Sequence, residues 1–203
     1  MRGVILAGGG ATRFEGRPKG LEMVGGRRIL DRVVDILAEA LGRSPLLVAN
    51  APEAANWRPD LELVGDERPD LGALGGILTA VVRGPAPVVV AAWDMPFLTV
   101  PLIRALAAGL DGADACLPSS GGPRGLEPLC AAYGPACRGA IEQSLDAGDL
   151  RAIGFHHLIR VGILPIDTVK GLGDPALAFF NVNTANDLAE AEASWQARAS
   201  SPS

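Results

Sequence analysis

Val4-Ile5-Leu6-Ala7-Gly8-Gly9-Gly10-Ala11-Thr12-Arg13-Phe14-Glu15-Gly16-Arg17-Pro18-Lys19-Gly20 is the stretch on which the fold turns. Its opening run, Val4 to Ala7, is apolar and β-branched, as in a strand buried on both faces, and three glycines then break it. A glycine turn directly after a first buried strand lies at the carboxyl end of that strand, where open α/β sheets bind ligands. Glycine lets backbone N–H groups come close to phosphate oxygens. Two familiar phosphate motifs are excluded: GxGxxG needs glycine where Arg13 stands, and GxxxxGK[ST] needs a Gly-Lys pair that this stretch lacks. What remains is a glycine turn followed by Arg13 and Lys19, two cations suited to a triphosphate and to charge moving onto a pyrophosphate leaving group. The same glycines would also serve a plain strand-to-helix turn with exposed basic side chains. Sixteen of the 18 basic residues are arginine, which makes Lys19 a rare choice, and as a loop lysine it is expected to be exposed and dispensable for folding.

Outward from this stretch, strands and helices alternate. Leu46–Ala49, Leu61–Val64 and Val88–Trp93 read as further buried strands. Leu30, Val33, Val34, Leu37, Ala38 and Leu41 make one apolar helix face, and shorter helices are expected over Leu74–Val82 and Pro101–Leu110. The pattern predicts an α/β fold with three layers, Rossmann-like, its mostly parallel sheet covered on both faces. Later, strands are expected at Ala115–Leu117, Leu129–Tyr133 and Leu158–Leu164, with helices over Pro135–Ala147 and Thr184–Ala197. No internal repeat or linker is visible, so residues 1–199 are expected to form one domain and 200–203 a disordered tail.

Composition narrows the function classes. The 203 residues are 48% hydrophobic and carry a net charge of -5, which argues against a general affinity for nucleic acid or an anionic membrane. Yet residues 1–32 hold seven basic and three acidic side chains, a positive patch suited to a small polyanion such as a nucleoside triphosphate. Cys116, Cys130 and Cys137 form no CxxC pair and read as buried small hydrophobes rather than a disulfide or zinc framework. No run approaches a membrane span or a signal-peptide core, so a cytoplasmic protein is expected.

Asp94 ends the apolar run Val88–Trp93, which puts a carboxylate at a strand tip on the same sheet edge as the glycine turn. One carboxylate beside phosphates is enough protein for a Mg²⁺ site, although an Asp before Met95-Pro96 also suits a turn. Asp66, after Leu63-Val64-Gly65, has the equivalent place and the same two readings. Asn181 and Asn183 alternate along an extended segment and so share a face. Two amides can serve several donors and acceptors of a heterocycle or phosphate, or they can tie down the turn before a helix that Thr184 and Asp187 would cap. Gly121-Gly122-Pro123-Arg124-Gly125 reads as a loop over a site or as a surface turn. His156 and His157, expected on a strand and facing opposite ways, and Trp57 and Trp195 read as packing residues.

Leu6-Ala-Gly-Gly with Arg13 and Lys19, Gly72-Ala-Leu-Gly-Gly76, Asp94-Met-Pro and Asn181-Val-Asn-Thr-Ala-Asn-Asp-Leu188 resemble, in order and spacing, the molybdenum cofactor guanylyltransferases. The resemblance implies a fold of the nucleotide-diphospho-sugar transferase type and a reaction in which GTP and molybdopterin give the guanine dinucleotide cofactor and pyrophosphate. Carried across, Leu6, Ala7, Gly8 and Gly9 would hold the nucleotide, Lys19 its phosphates, Asn50 and Asp66 the base or ribose, and Asp94 both nucleotide and Mg²⁺. Arg13 would assist transfer, and Asn181 and Asn183 would face the pterin. Contacts with other cofactor-biosynthesis proteins and with apo-molybdoenzymes are implied as well. The chain departs from the family in Trp93, where small residues are common, and in Ala185, where Pro is frequent. A cytidylyltransferase for the same pterin, which more often has Ala in place of Gly9, and a non-catalytic nucleotide or cofactor-binding protein are the alternatives.

Overall fold

The computed structural model describes residues 1–8, 13–14, 17–85, 87–122 and 125–200, with the backbone alone at 13, 14 and 17. Seven strands form one sheet: β1 (Arg2–Leu6), β2 (Leu46–Val48), β3 (Glu62–Val64), β4 (Val88–Ala92), β5 (Ala115–Pro118), β6 (Cys130–Tyr133) and β7 (Val161–Leu164), in the spatial order β7-β5-β6-β4-β1-β2-β3. All pairings are parallel except those of β6, which runs antiparallel to both β4 and β5. Alternation along each strand sorts its side chains between two cores. Ile5, Leu47, Val89 and Ala91 meet α1 (Ile29–Leu41) and α3 (Val100–Ala108) on one face. Val4, Leu46, Val88 and Val90 meet α2 (Gly72–Arg83) and α4 (Cys137–Asp146) on the other. The three-layer, mostly parallel α/β sandwich expected from the periodicity is therefore present. Among the described residues no helix is long and apolar enough to cross a membrane.

Local chemistry sets the element ends. On α1, Leu30, Val33, Val34 and Leu37 are buried as the spacing predicts, and Gly42 stops the helix at φ 72, donating its N–H to the Ala38 carbonyl. Thr99 caps α3 by accepting from the Leu102 amide. Between β1 and α1 lie two short antiparallel pairs, Arg13–Phe14 with Arg17–Pro18 and the hairpin Met23–Val24 with Arg27–Arg28. The second turns through Gly25 and Gly26, whose φ values of 54 and 73 suit a tight two-residue turn.

Several expectations are corrected. His156 and His157 lie on a 3-10 turn, Gly154–Leu158, and not on a strand, because the chain meets β5 only from Val161 onward. His157 Nδ1 contacts the Gly154 carbonyl at 2.8 Å, while His156 packs its ring on Phe155 and burial holds its pKa below the usual imidazole value. His156 packs as expected, whereas His157 is exposed and holds the turn through its contact with Gly154. The sequence reading overlooked α5 (Ile166–Leu172) and α6 (Pro175–Ala178), although Asp174 caps the latter through the Ala176 amide. The last helix, α7 (Ala185–Ser200), includes Ser200, whose hydroxyl donates to the Gln196 carbonyl; the rest of the expected tail lies outside the described residues. Of the loop at 121–125, Pro123 and Arg124 lie outside them too, and the Gly125 amide donates to the Gly122 carbonyl at 3.0 Å.

Trp93 and Trp57 are both buried and stack with centroids 4.8 Å apart. Gly20 lies flush on Trp93, so that a Cβ there would stand 2.4 Å from its ring. Gly20→Ala is expected to cost about 1–3 kcal/mol through overpacking, read as a Tm several degrees lower by circular dichroism. An unchanged Tm would contradict this packing.

Candidate active site

The carboxyl edge of the sheet opens into a pocket of about 380 Å³. Leu6 lines it at the end of β1, its carbonyl accepting from the Trp93 amide at 3.2 Å, and this bond draws the end of β4 and its next residue, Asp94, to the start of the glycine turn. Gly8 is exposed at the mouth, and a Cβ there would meet nothing within 4 Å. Ala7 instead packs in the core and spends its amide on the Val48 carbonyl. Gly9 and the Arg13 side chain lie outside the described residues; the Arg13 backbone pairs with Pro18.

Lys19 overturns its expected exposure. Only 8% of it is exposed, and its ammonium pairs with the Asp94 carboxylate and donates to Asn183 Oδ1 at 2.8 Å. Three segments far apart in sequence, the flank of the glycine turn, the β4 tip and the segment before α7, thus meet at one nitrogen. The Val182 amide donates to the Asp94 carbonyl at 3.0 Å and fastens the last two segments again.

Asn183 and Asn181 both line the pocket. The Asn181 amide donates to the Phe179 carbonyl at 2.9 Å. The capping box is present as well: Thr184 Oγ1 accepts from the Asp187 amide, and Asp187 Oδ2 accepts from the amides of Asn183 and Thr184. Burial pushes the Asp187 carboxyl up, but those hydrogen bonds and the charge of Lys19 outweigh it and hold the group below the usual carboxylate range. The two readings of this segment therefore combine, since the cap fixes the backbone that presents Asn183 to Lys19.

At the β2–β3 end, Asn50 and Asp66 face each other in the pocket wall. Asn50 donates to Asp66 Oδ2 at 2.7 Å, and the Asp66 amide donates back to Asn50 Oδ1 at 2.8 Å. Thr79, on α2, accepts from the next amide, Glu67, at 2.9 Å and stiffens this loop. Sequence reasoning missed the opposite wall, Glu127, Pro128 and Ala152. Because β6 is antiparallel, its leading residues, not its trailing ones, arrive at the ligand edge, and no local pattern announces a strand's direction. Trp93, the departure from the family pattern, stacks its ring on Trp57 and also lines the pocket beside Asp94.

The model of the MobA-like NTP transferase domain matches residues 3–161. The chain belongs to this family. A probable molybdenum cofactor guanylyltransferase of Pelotomaculum thermopropionicum is 36% identical over 93% of this chain and 90% of its own, and a molybdenum cofactor guanylyltransferase of Desulfosudis oleivorans is 32% identical over 97% and 96%. The crystal structure of molybdopterin-guanine dinucleotide biosynthesis protein A from Archaeoglobus fulgidus superposes with a TM-score of 0.80 at 25% identity, covering 97% of this chain and all of that one. A 2-C-methyl-D-erythritol 4-phosphate cytidylyltransferase from Thermus thermophilus, 21% identical with a TM-score of 0.64 over 97% of this chain and all of its own, shares the fold.

Lys19→Met strands the buried Asp94 charge and is expected to lower stability by roughly 1–3 kcal/mol, less than for a fully enclosed pair because the pocket admits water. Lys19→Met with Asp94→Asn removes both charges and should recover part of that loss. Denaturant titration of the three proteins decides it, and a double variant no better than the single one would contradict the pairing.

Proposed function

We propose that this protein transfers GMP from GTP to molybdopterin, forming the guanine dinucleotide cofactor and releasing pyrophosphate. One observation carries the reading beyond the family: Lys19 joins the phosphate-loop flank, the Asp94 carboxylate and the Asn183 segment in a single pocket. The nucleotide would lie over β1–β3, with Leu6, Gly8 and Gly9 along its phosphates and Asn50 and Asp66 toward the base or ribose. Molybdopterin would enter from the Asn181 and Asn183 side.

Magnesium suits the donor set. Asp94 offers hard carboxylate oxygens into the pocket, and among the described residues no three His, Cys, Asp or Glu converge into a protein-only cage. An ion held by Asp94 would take its other ligands from phosphates and water, and when bound it supplies positive charge to the phosphates.

In the transfer, an oxygen of the pterin phosphate forms a bond to the α-phosphorus as the bond to the bridging oxygen of the leaving pyrophosphate breaks. A phosphate monoester has its second pKa near about 6, so the attacking oxygen is already ionised at neutral pH and no general base is required. Lys19, with Arg13, neutralises charge arriving on the pyrophosphate. Asn181 and Asn183 hold the acceptor in line, which lowers the entropic part of the barrier. Such a reaction suits the cytoplasm, with other cofactor-biosynthesis proteins and apo-molybdoenzymes as partners.

Incubation with molybdopterin, Mg²⁺ and each of the four ribonucleoside triphosphates tests the reading. GTP alone should yield a dinucleotide and pyrophosphate. A product from CTP would make the protein a cytidylyltransferase, and nucleotide binding without pyrophosphate release would make it a binding protein. Asp94→Asn keeps the side-chain shape but removes the anion, and should slow turnover by about 10² or more; near-normal turnover at saturating Mg²⁺ would defeat the role given to Asp94.

A further inference from the structure

The segments that meet at Lys19 also meet a second time, away from the pocket, around Trp195 on α7. Trp195 stacks on Phe97 with centroids 6.3 Å apart, and Phe97 is three residues beyond Asp94. Phe97 in turn stands edge-on to Phe180 at 6.4 Å, one residue before Asn181. On its other side the indole fits against Gly25, where a Cβ would lie 2.1 Å from Nε1. Gly25 turns the hairpin that follows Lys19. The buried Arg32 guanidinium lies 3.7 Å over the Trp195 ring and donates to the carbonyls of Val24 and Gly25, while Glu192, one helical turn before Trp195, accepts from the Gly25 amide at 2.7 Å. One side chain is thus wedged between the flank of Lys19, the flank of Asp94 and, through Phe97, the flank of Asn181 and Asn183.

We propose that Trp195 is a positioning residue for nucleotidyl transfer, setting the register of Lys19 against Asp94 and Asn183. The argument is geometric. Lys19 opens a three-residue 3-10 turn, Asp94 lies in a buried turn and Asn183 in an irregular segment, so what aligns the three is the packing of their flanks, and an ammonium held within hydrogen-bond distance of two partners loses both if its backbone moves by an ångström or so. An aromatic wedge is suited to fixing loop positions because it has only two side-chain torsions and makes a large rigid contact. The Gly25 turn admits no side chain there, so the indole and the hairpin have a single seating. The consequence for transfer rests on the function proposed above; the effect on Lys19 does not.

The chain has two lysines, Lys19 and the largely exposed Lys170, so ammonium NMR of lysine-labelled protein gives two resonances and reads the position of Lys19 without any substrate. Trp195→Leu should move the Lys19 resonance toward that of Lys170, and Trp195→Phe should leave it near its wild-type place. In transfer assays Trp195→Leu should lower kcat about tenfold or more with the KM for GTP within about threefold, and Trp195→Phe should stay within about threefold of wild type. In a Lys19→Ala background, adding Trp195→Leu should slow transfer by no more than about twofold, because the group it positions is gone. A lowered Tm with an unmoved Lys19 resonance, or a Trp195→Leu effect of the same size in both backgrounds, would overturn the proposal. If Trp195→Leu does not fold, Glu192→Ala, which removes the anchor on Gly25 together with the Glu192 contacts to Gln196 and Arg32, brings the same resonance test. A wild-type protein that makes no dinucleotide would defeat the proposed function and leave the resonance to judge the positioning.

Discussion

The buried pair of Lys19 and Asp94 is the constraint around which the edge of this sheet is organised. Bringing two charges out of water costs several kcal/mol, and such a pair is a weak source of stability. Here it is held by supports that have other work as well. Leu6 fixes the start of the Asp94 turn through the Trp93 amide, Gly20 lies flat on Trp93, and Asn183 takes a third bond from the lysine. In the proposed function the cost is offset because the same charges face a pocket that takes a more highly charged occupant. A polyphosphate with its cation offers both Lys19 and Asp94 new partners of opposite charge, so the energy spent on burial prepares the site for binding.

Much of this was legible from residue patterns. The Val4–Ala7 and Val88–Trp93 runs identified central strands because continuous β-branched and apolar residues have few other uses in a chain of this size. The α1 spacing located Leu30, Val33, Val34 and Leu37 on its buried face, but Arg32, which the spacing puts on the opposite face with Asp35 and Glu39, is buried too, because its guanidinium folds back over Trp195 and onto the Val24 and Gly25 carbonyls. Asp94 was placed correctly because a carboxylate directly after a buried strand can only emerge at the sheet edge. Thr184 and Asp187 were legible as a cap because capping is a local interaction between residues three apart.

What the sequence did not disclose depended on distance or direction. The burial of Lys19 could not be read from its neighbours, which are glycines, arginines and a proline; its partners stand 75 and 164 residues away. The antiparallel course of β6 brought Glu127 and Pro128 to the ligand edge through topology alone. The start of the Leu158–Leu164 strand was misread because Leu158 and Ile159 fit a strand as well as a tight turn, and the choice was made by pairing with β5, which begins only at Val161.

That division also bears on how the site separates its two tasks. The elements that carry Gly8, Lys19, Asn50, Asp66 and Asp94 all lie before Val161 and, in the proposed function, together make the surface for the nucleotide. The groups facing them from the other side, Asn181 and Asn183, come from the last quarter of the chain, as do Glu192 and Trp195. Nucleotide chemistry constrains the first set, because every triphosphate presents the same charges in the same order. In the same proposal the second set has a different demand: it would place an acceptor in line with the α-phosphorus without contributing charge of its own at that point. Neutral amides on a capped, aromatic-braced segment meet that demand, since they can orient a phosphate by hydrogen bonds while leaving Lys19 as the cation between the two halves. The acceptor side of the pocket can then be altered by changing the region before α7 while the nucleotide side and the sheet beneath it stay as they are.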